Sequence, residues 1–287
     1  MSEALLAVQG ALRCPHCAAS IKIDAGVAKC EAGHSFDIAR QGYVNFLTSQ
    51  TFIKNADTAA MVEARQKMHA RPFFQNLAHQ IAQVCDGLCR GMPSPVIVEP
   101  GGGTGFYARA ATQVVSSAVA VSFDISVHAA KVCARQSNRI AAVVADVWQP
   151  WPIGENSADI VLSVFSPRNI EETKRVVRAG GTLIVVAPED HHLVELRSQF
   201  NALSIQHDKS ETISAVLGNF SKIDHFVYHS KELLDGQAMY ETLLSGPNGH
   251  HLQAKDMEAI LQSKPLDVTH SVSISVWKLK TDESSSE

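Results

Sequence analysis

The 287-residue sequence predicts an α/β protein: a mostly parallel, doubly wound sheet of seven strands, preceded by a small metal-stapled ribbon. Three observations carry this expectation. Cys14, Cys17, Cys30 and His34 stand at the spacing C-x2-C-x12-C-x3-H. From residue 96 onward, apolar runs alternate with segments of helical period. Finally, the run Val96-Ile97-Val98-Glu99-Pro100-Gly101-Gly102-Gly103-Thr104-Gly105 reads as a buried strand ending in a glycine-rich turn.

The ribbon comes first. Zinc prefers thiolate and imidazole, and donors two or three residues apart let a tight turn aim both at one ion. The loops Cys14-Pro15-His16-Cys17 and Cys30-Glu31-Ala32-Gly33-His34 flank an alternating Ile21-Lys22-Ile23 strand. Four protein ligands close the coordination sphere, so the predicted role of the single ion is structural. Residues 1–48 are too few to bury a core, so metal bonding is expected to supply their folding free energy.

Residues 49–92 read as a helical linker. Apolar residues recur with helical period over 59–68 and 74–88, and Arg71-Pro72 separates the two helices. The region 93–280 then predicts strands at 96–99, 118–123, 140–145, 158–164, 181–187, 223–228 and 272–279. Helices are expected near 105–115, 127–136, 170–178, 190–206, 230–245 and 253–262. Such alternation favours parallel strands with crossover helices, and a final antiparallel strand closes the sheet.

Composition narrows the function classes. No apolar stretch approaches the ~18 residues that span a bilayer, and the first residues lack the charged and apolar regions of a secretory signal, so a soluble, cytoplasmic protein is expected. Three of the six cysteines fall in the zinc spacing, and Cys85, Cys89 and Cys133 read as buried, reduced fillers. A net charge of −4 gives no global attraction to nucleic acid, so RNA binding has to use local basic patches.

The glycine turn carries the cofactor chemistry. Gly101, Gly103, Thr104 and Gly105 lie where a backbone must approach a ligand closely, and Asp124, nineteen residues after Gly105, ends the next strand, where a carboxylate can bond ribose hydroxyls. Asp146 ends the third strand. Glycine spacing fits a dinucleotide or S-adenosylmethionine equally. Glu99 directly before the glycines and the Ala179-Gly180-Gly181-Thr182-Leu183 turn resemble class I (Rossmann-like) methyltransferases rather than dehydrogenases.

A more specific likeness covers nearly the whole chain. The zinc spacing, Ser35-Phe36-Asp37, Gly42-Tyr43-Val44-Asn45, the Asp57–Arg65 stretch, Ala187-Pro188 with His192-Leu193-Val194-Glu195-Leu196, and Gly246-Pro247 before His251-Leu252 follow in one order. In this the chain resembles the rRNA large-subunit guanine-N1 methyltransferases. The resemblance implies a zinc-containing RNA-recognition module joined to an S-adenosylmethionine-dependent domain that methylates guanine N1 in a hairpin of 23S rRNA. It also implies a homodimer, and some members confer macrolide resistance. By the same likeness Gly103, Thr104 and His192 match cofactor-contacting positions, and Phe74 stands where the family usually has a tyrosine near the cofactor, so the 49–92 linker is expected to contribute to the cofactor site. Glu99 replaces the usual aspartate and Pro100 the usual aliphatic residue.

Ser166-Pro167-Arg168 ends the fourth strand, where related enzymes hold the target base, so Ser166 and Arg168 are the catalytic candidates. Arg168 could stabilise charge developing on O6 as N1 loses its proton. Phe106, Tyr107 and Phe165 are stacking candidates with core packing as the alternative, and Lys22, Lys29 and Arg40 are candidate phosphate contacts. Two rival functions fit the same motifs: a small-molecule methyltransferase whose zinc module serves stability, and a catalytically inactive RNA-binding protein. The modular reading further expects residues 1–48 to be dispensable for cofactor binding.

Overall fold

The structure is a computed structural model that describes residues 3–47, 56–200 and 217–280. In chain order, α1 (Glu3–Val8) precedes a three-stranded ribbon of β1 (Ile21–Asp24), β2 (Val27–Cys30) and β3 (Ser35–Asp37), followed by β4 (Val44–Asn45). Two helices come next, α2 (Ala59–His69) and α3 (Pro72–Cys89). The alternating region holds β5 (Val96–Pro100), α4 (Phe106–Val114), β6 (Val119–Asp124), α5 (Val127–Cys133), β7 (Ile140–Val144), β8 (Ala158–Val164), α6 (Ile170–Val176), β9 (Val177–Pro188) and α7 (Val194–Phe200). The chain ends with β10 (Phe220–Leu234), α8 (Gly236–Ser245), a 3-10 turn at Pro247–His251, α9 (Ala254–Leu261) and β11 (Leu266–Leu279).

The main sheet runs β10-β11-β9-β8-β5-β6-β7-β4. Pairings from β4 through β9 are parallel, and β11 joins β9 and β10 antiparallel. Side chains alternate between faces, as a strand covered on both sides requires. Val98, Val121, Val161 and Val185 enter one core with α1 and the ribbon. Ile97, Ala120, Ile160 and Ile184 enter another with α3 and α4.

Among the described residues, the main sheet has one strand more than periodicity predicts. Val44 and Asn45 pair parallel with Val143 and Val144, and the Phe46 N–H donates to the Val144 carbonyl at 2.9 Å. Two residues are too few to show a period, and only the neighbouring strand makes them a strand. The six-residue α1 escapes the sequence pattern for the same reason; it buries Ala4, Leu5 and Val8 over β6 and β7. Leu12 then bridges Ile153, and the Arg13 N–H donates to the Pro152 carbonyl at 2.9 Å. The ribbon is thus fastened to the sheet domain both before and after its metal ligands.

A second difference lies at β10. A helix is expected from residue 230, but the strand continues to Leu234, because Ser230–Leu234 pair in register with His270–Leu266. The helix begins only at Gly236, where the Asp235 carboxylate accepts from the Ala238 N–H at 2.8 Å. The expected 190–206 helix starts at Val194, and its residues beyond 200 lie outside the described ones.

Candidate cofactor and metal sites

Tight turns bring the four metal candidates together. The Ala18 N–H donates to the Cys14 carbonyl at 2.9 Å, and the Gly33 N–H to the Cys30 carbonyl at 3.0 Å. The ligand atoms of Cys14, Cys17, Cys30 and His34 all lie within 4.8 Å of one another. Cys14 Sγ to His34 Nδ1 is 3.5 Å, Cys30 Sγ to His34 Nδ1 3.4 Å, and Cys17 Sγ to Cys30 Sγ 3.7 Å. With bonds of ~2.0–2.3 Å, the edges of a zinc tetrahedron are about 3.4–3.8 Å, so the donor set fits that ion. The His16 ring, exposed in the first loop, lies 4.9 Å from His34.

The cofactor candidates gather at the C-terminal ends of the parallel strands, where open α/β sheets bind ligands. Glu99 lies beneath the glycine turn, 1% exposed, with Oε2 accepting from Ser122 Oγ at 2.7 Å. Burial pushes its carboxyl up to about 8, so it is largely protonated at neutral pH. Gly101, Gly103 and Gly105 adopt positive φ values of 63°, 55° and 71°. A Cβ at Gly105 would lie 2.5 Å from Cys133 Sγ, and one at Gly102 only 2.1 Å from Ser122 Oγ. The turn is pressed onto the sheet, leaving its outer side for a ligand.

Asp124 holds this turn. Its Oδ2 accepts from the Gly103 N–H at 3.0 Å and its Oδ1 from the Ser126 N–H at 2.8 Å. Burial raises the Asp124 carboxyl above the usual range, Asp57 adds to that, and Arg65 opposes it. Half-buried Asp146 is fixed by the Trp148 N–H, which donates to Oδ1 at 2.9 Å. The zinc loop reaches this point too, since Pro15, Phe46 and Asp146 line one shallow cavity of about 80 Å³.

His192 is buried beside the expected base-binding turn. The Ser271 N–H donates to its Nδ1 at 3.1 Å, so the neutral ring carries its proton on Nε2. Burial first, then the neighbouring His270 and Arg197, lowers its pKa to about 3. His192 is accordingly a hydrogen-bond donor, and its Nδ1 is not free to act as a base. Phe165 stands 42% exposed with φ of 51°, its ring stacked 6.3 Å from His192. A bulky residue at positive φ is strained, and such strain persists where the surroundings require it.

Ser166 is buried against Gly101 and pairs with Ser163, Oγ to Oγ 3.1 Å. Arg168 follows half-buried, and Asn169 caps α6 while donating to the Val147 carbonyl at 3.2 Å, tying the Ser166 and Asp146 loops together. Phe74 lies in the aromatic core of α3, 4.9 Å from Phe73 and 5.9 Å from His69. Phe106 and Tyr107 are buried as well, so of the three stacking candidates Phe165 is the exposed one.

The sequence pattern passes over three residues here. Asp57 and Arg65 stand out only within the Asp57–Arg65 stretch of the likeness and His69 not at all, yet all three lie at the glycine turn. His69 is 8% exposed, stacks 4.1 Å from Phe106, and sets Nδ1 3.5 Å from Thr104 Oγ1. Asp57 and Arg65 form an ion pair at 2.5 Å. Their only sequence signal is the ordered Asp57–Arg65 stretch itself.

Comparison with known proteins agrees with this geometry. Residues 12–52 match the family described as RlmA, N-terminal, a zinc ribbon, and residues 98–185 match a methyltransferase domain. A Streptomyces fradiae 23S rRNA (guanine(748)-N(1))-methyltransferase is 33% identical over 270 residues, covering 93% of this chain and 96% of that protein. The chain belongs to the 23S rRNA guanine-N1 methyltransferase family. In fold it resembles phosphoethanolamine N-methyltransferase 2 of Haemonchus contortus, with a TM-score of 0.52 and 13% identity over 80% of this chain and 61% of that one. It also resembles the YcgJ protein of Bacillus subtilis, with a TM-score of 0.51 and 13% identity over 71% of this chain and 99% of that one. The sheet domain is a class I methyltransferase whose cofactor is S-adenosylmethionine, and the Cys3His cluster is a zinc site.

Proposed function

We propose that the protein methylates N1 of a guanine in a hairpin of 23S rRNA. The observation that carries this reading is the likeness to the Streptomyces enzyme, which covers 93% of this chain and 96% of that protein. When bound, S-adenosylmethionine supplies a methyl group activated by its sulfonium. The chain's own task is to position the base and exclude water. In this reading Gly101, Gly103, Thr104, Gly105, Asp124 and Asp146 hold the cofactor, with Glu99 bracing the turn from below. Phe165 stacks on the extruded guanine, and the His192 Nε2–H donates within the same site. Arg168 stabilises charge on O6 as the N1 proton leaves, and Ser166 sets the turn that carries it.

The ribbon orients the hairpin. Lys22 and Lys29 are exposed and directly opposite in the β1–β2 ladder, a like-charge pairing that disfavours the sheet until an anion sits between them. An RNA phosphate supplies that anion, and Arg40 extends the patch. We further propose that the enzyme works in the cytoplasm, that it acts as a homodimer, and that the modification raises macrolide tolerance. The test is primer extension on 23S rRNA from cells with and without the gene, since N1 methylation blocks Watson–Crick pairing. A gene-dependent stop is expected, and position 748, named for the Streptomyces relative, is the first to inspect. Unchanged extension with demonstrably expressed protein would overturn the assignment.

A further inference from the structure

We propose that the Arg65–Asp57 pair recognises the amino-acid end of S-adenosylmethionine, the Arg65 guanidinium taking the α-carboxylate and the Asp57 carboxylate the α-ammonium. This rests on the methyltransferase reading above and names residues for one half of the cofactor. Arg65 lies across the glycine turn: its Nη1 is 3.0 Å from the point where a Cβ on Gly103 would stand, and 2.5 Å from Asp57 Oδ2. Nη2 donates to the Ser245 carbonyl at 2.7 Å, so α8 fixes the fork from behind. Asp57 is fixed from its main chain, where its carbonyl accepts from Ser126 Oγ at 2.7 Å. The two side chains are only 21% and 15% exposed, too enclosed for an ordinary surface ion pair.

The ligand's charges single out this pair. S-adenosylmethionine has one anionic group, the carboxylate, and the Gly103 N–H that could meet it is already given to Asp124. Another donor must serve, and a guanidinium is the side chain suited to bidentate carboxylate binding. The ammonium needs an acceptor beside it, which the Asp57 carboxylate provides. An internal ion pair facing a zwitterion gives each charged group of that end a partner, whereas Arg65 alone or Asp57 alone would leave one uncompensated.

The experiment is calorimetric titration of the full-length, zinc-loaded protein with S-adenosylhomocysteine and with 5′-methylthioadenosine, which keeps the nucleoside and thioether but lacks the amino-acid end. Arg65→Met and Asp57→Asn are each expected to weaken S-adenosylhomocysteine binding about tenfold or more while methylthioadenosine affinity stays within about twofold. Arg65→Lys is expected to recover part of the loss. Equal weakening of both ligands would assign the pair a purely structural role, and unchanged S-adenosylhomocysteine affinity would remove it from the site; either result overturns the proposal. Should Arg65→Met melt early, Asp57→Asn and Arg65→Lys decide by the same two-ligand criterion. Wild-type protein that binds neither ligand would refute the methyltransferase reading itself, a result distinct from equal binding by variant and wild type.

Discussion

Removing residues 1–48 is expected to unfold the methyltransferase domain, not merely to delete an RNA-binding accessory. Leu5, Leu12 and Val44 are 0% exposed, and Val8 and Phe46 2%, all in one core with Val121, Val143 and Ile153 of the sheet domain. Burial of such a side chain contributes ~1.5–3 kcal/mol, so the five together represent about 8–15 kcal/mol as an upper figure. A whole domain is stable by ~5–15 kcal/mol. Even half of the lower figure, about 4 kcal/mol, lowers the melting temperature by roughly 8–16 °C for a domain of this size. Melting followed by circular dichroism, gel filtration and S-adenosylhomocysteine calorimetry measure the outcome. Leu5→Ala, expected to cost ~2–5 kcal/mol with the zinc retained, separates core loss from metal loss. A monomeric fragment 49–287 that melts within 5 °C of the intact protein and binds the nucleoside within a few-fold would refute this reasoning and restore the modular one.

Cys30→Ser should abolish zinc in elemental analysis, against one ion per chain in the wild type, and lower the melting temperature, because the ribbon loses the bonds that replace a core. Gly102→Ala should weaken S-adenosylhomocysteine binding about tenfold or more in calorimetry, since its Cβ would collide with Ser122 Oγ at 2.1 Å and Glu99 Oε2 at 2.5 Å and push the turn outward. Stability should also fall in acid. His69, His192 and His270 are held neutral by burial, with folded values of about 3, 3 and 4 against an ordinary 6.5. Their contribution is complete above pH 6.5 and is lost as pH falls towards the folded values, because the unfolded chain binds the protons first. Glu99, raised to about 8, acts oppositely, its contribution being lost as pH rises towards that value. Melting curves from pH 6.5 to pH 5 should therefore decline, since three histidines outweigh one carboxyl there, and His270→Gln should flatten the decline by about one proton; an unaltered slope would show that His270 titrates normally in the fold.

The sequence by itself determined the zinc ligands, the glycine turn, the acidic strand ends and the alternating order of the sheet. These are local matters: ligand spacing within a turn, period along one strand, and the glycine that a positive φ requires all act within a few residues. Tertiary structure decided what depends on partners distant in the chain. Val44–Asn45 is a strand only because Val143–Val144 lie beside it, and α1 is a helix worth forming only over β6 and β7. Residues 230–234 are extended because His270–Leu266 pair with them, against their own helical pattern. The tautomer of His192 is set by a backbone N–H seventy-nine residues away. Arg65 resembles any helix-surface arginine until Asp57, Gly103 and Ser245 close around it. Burial and opposite charge define such groups, and neither is written in the residues next to them.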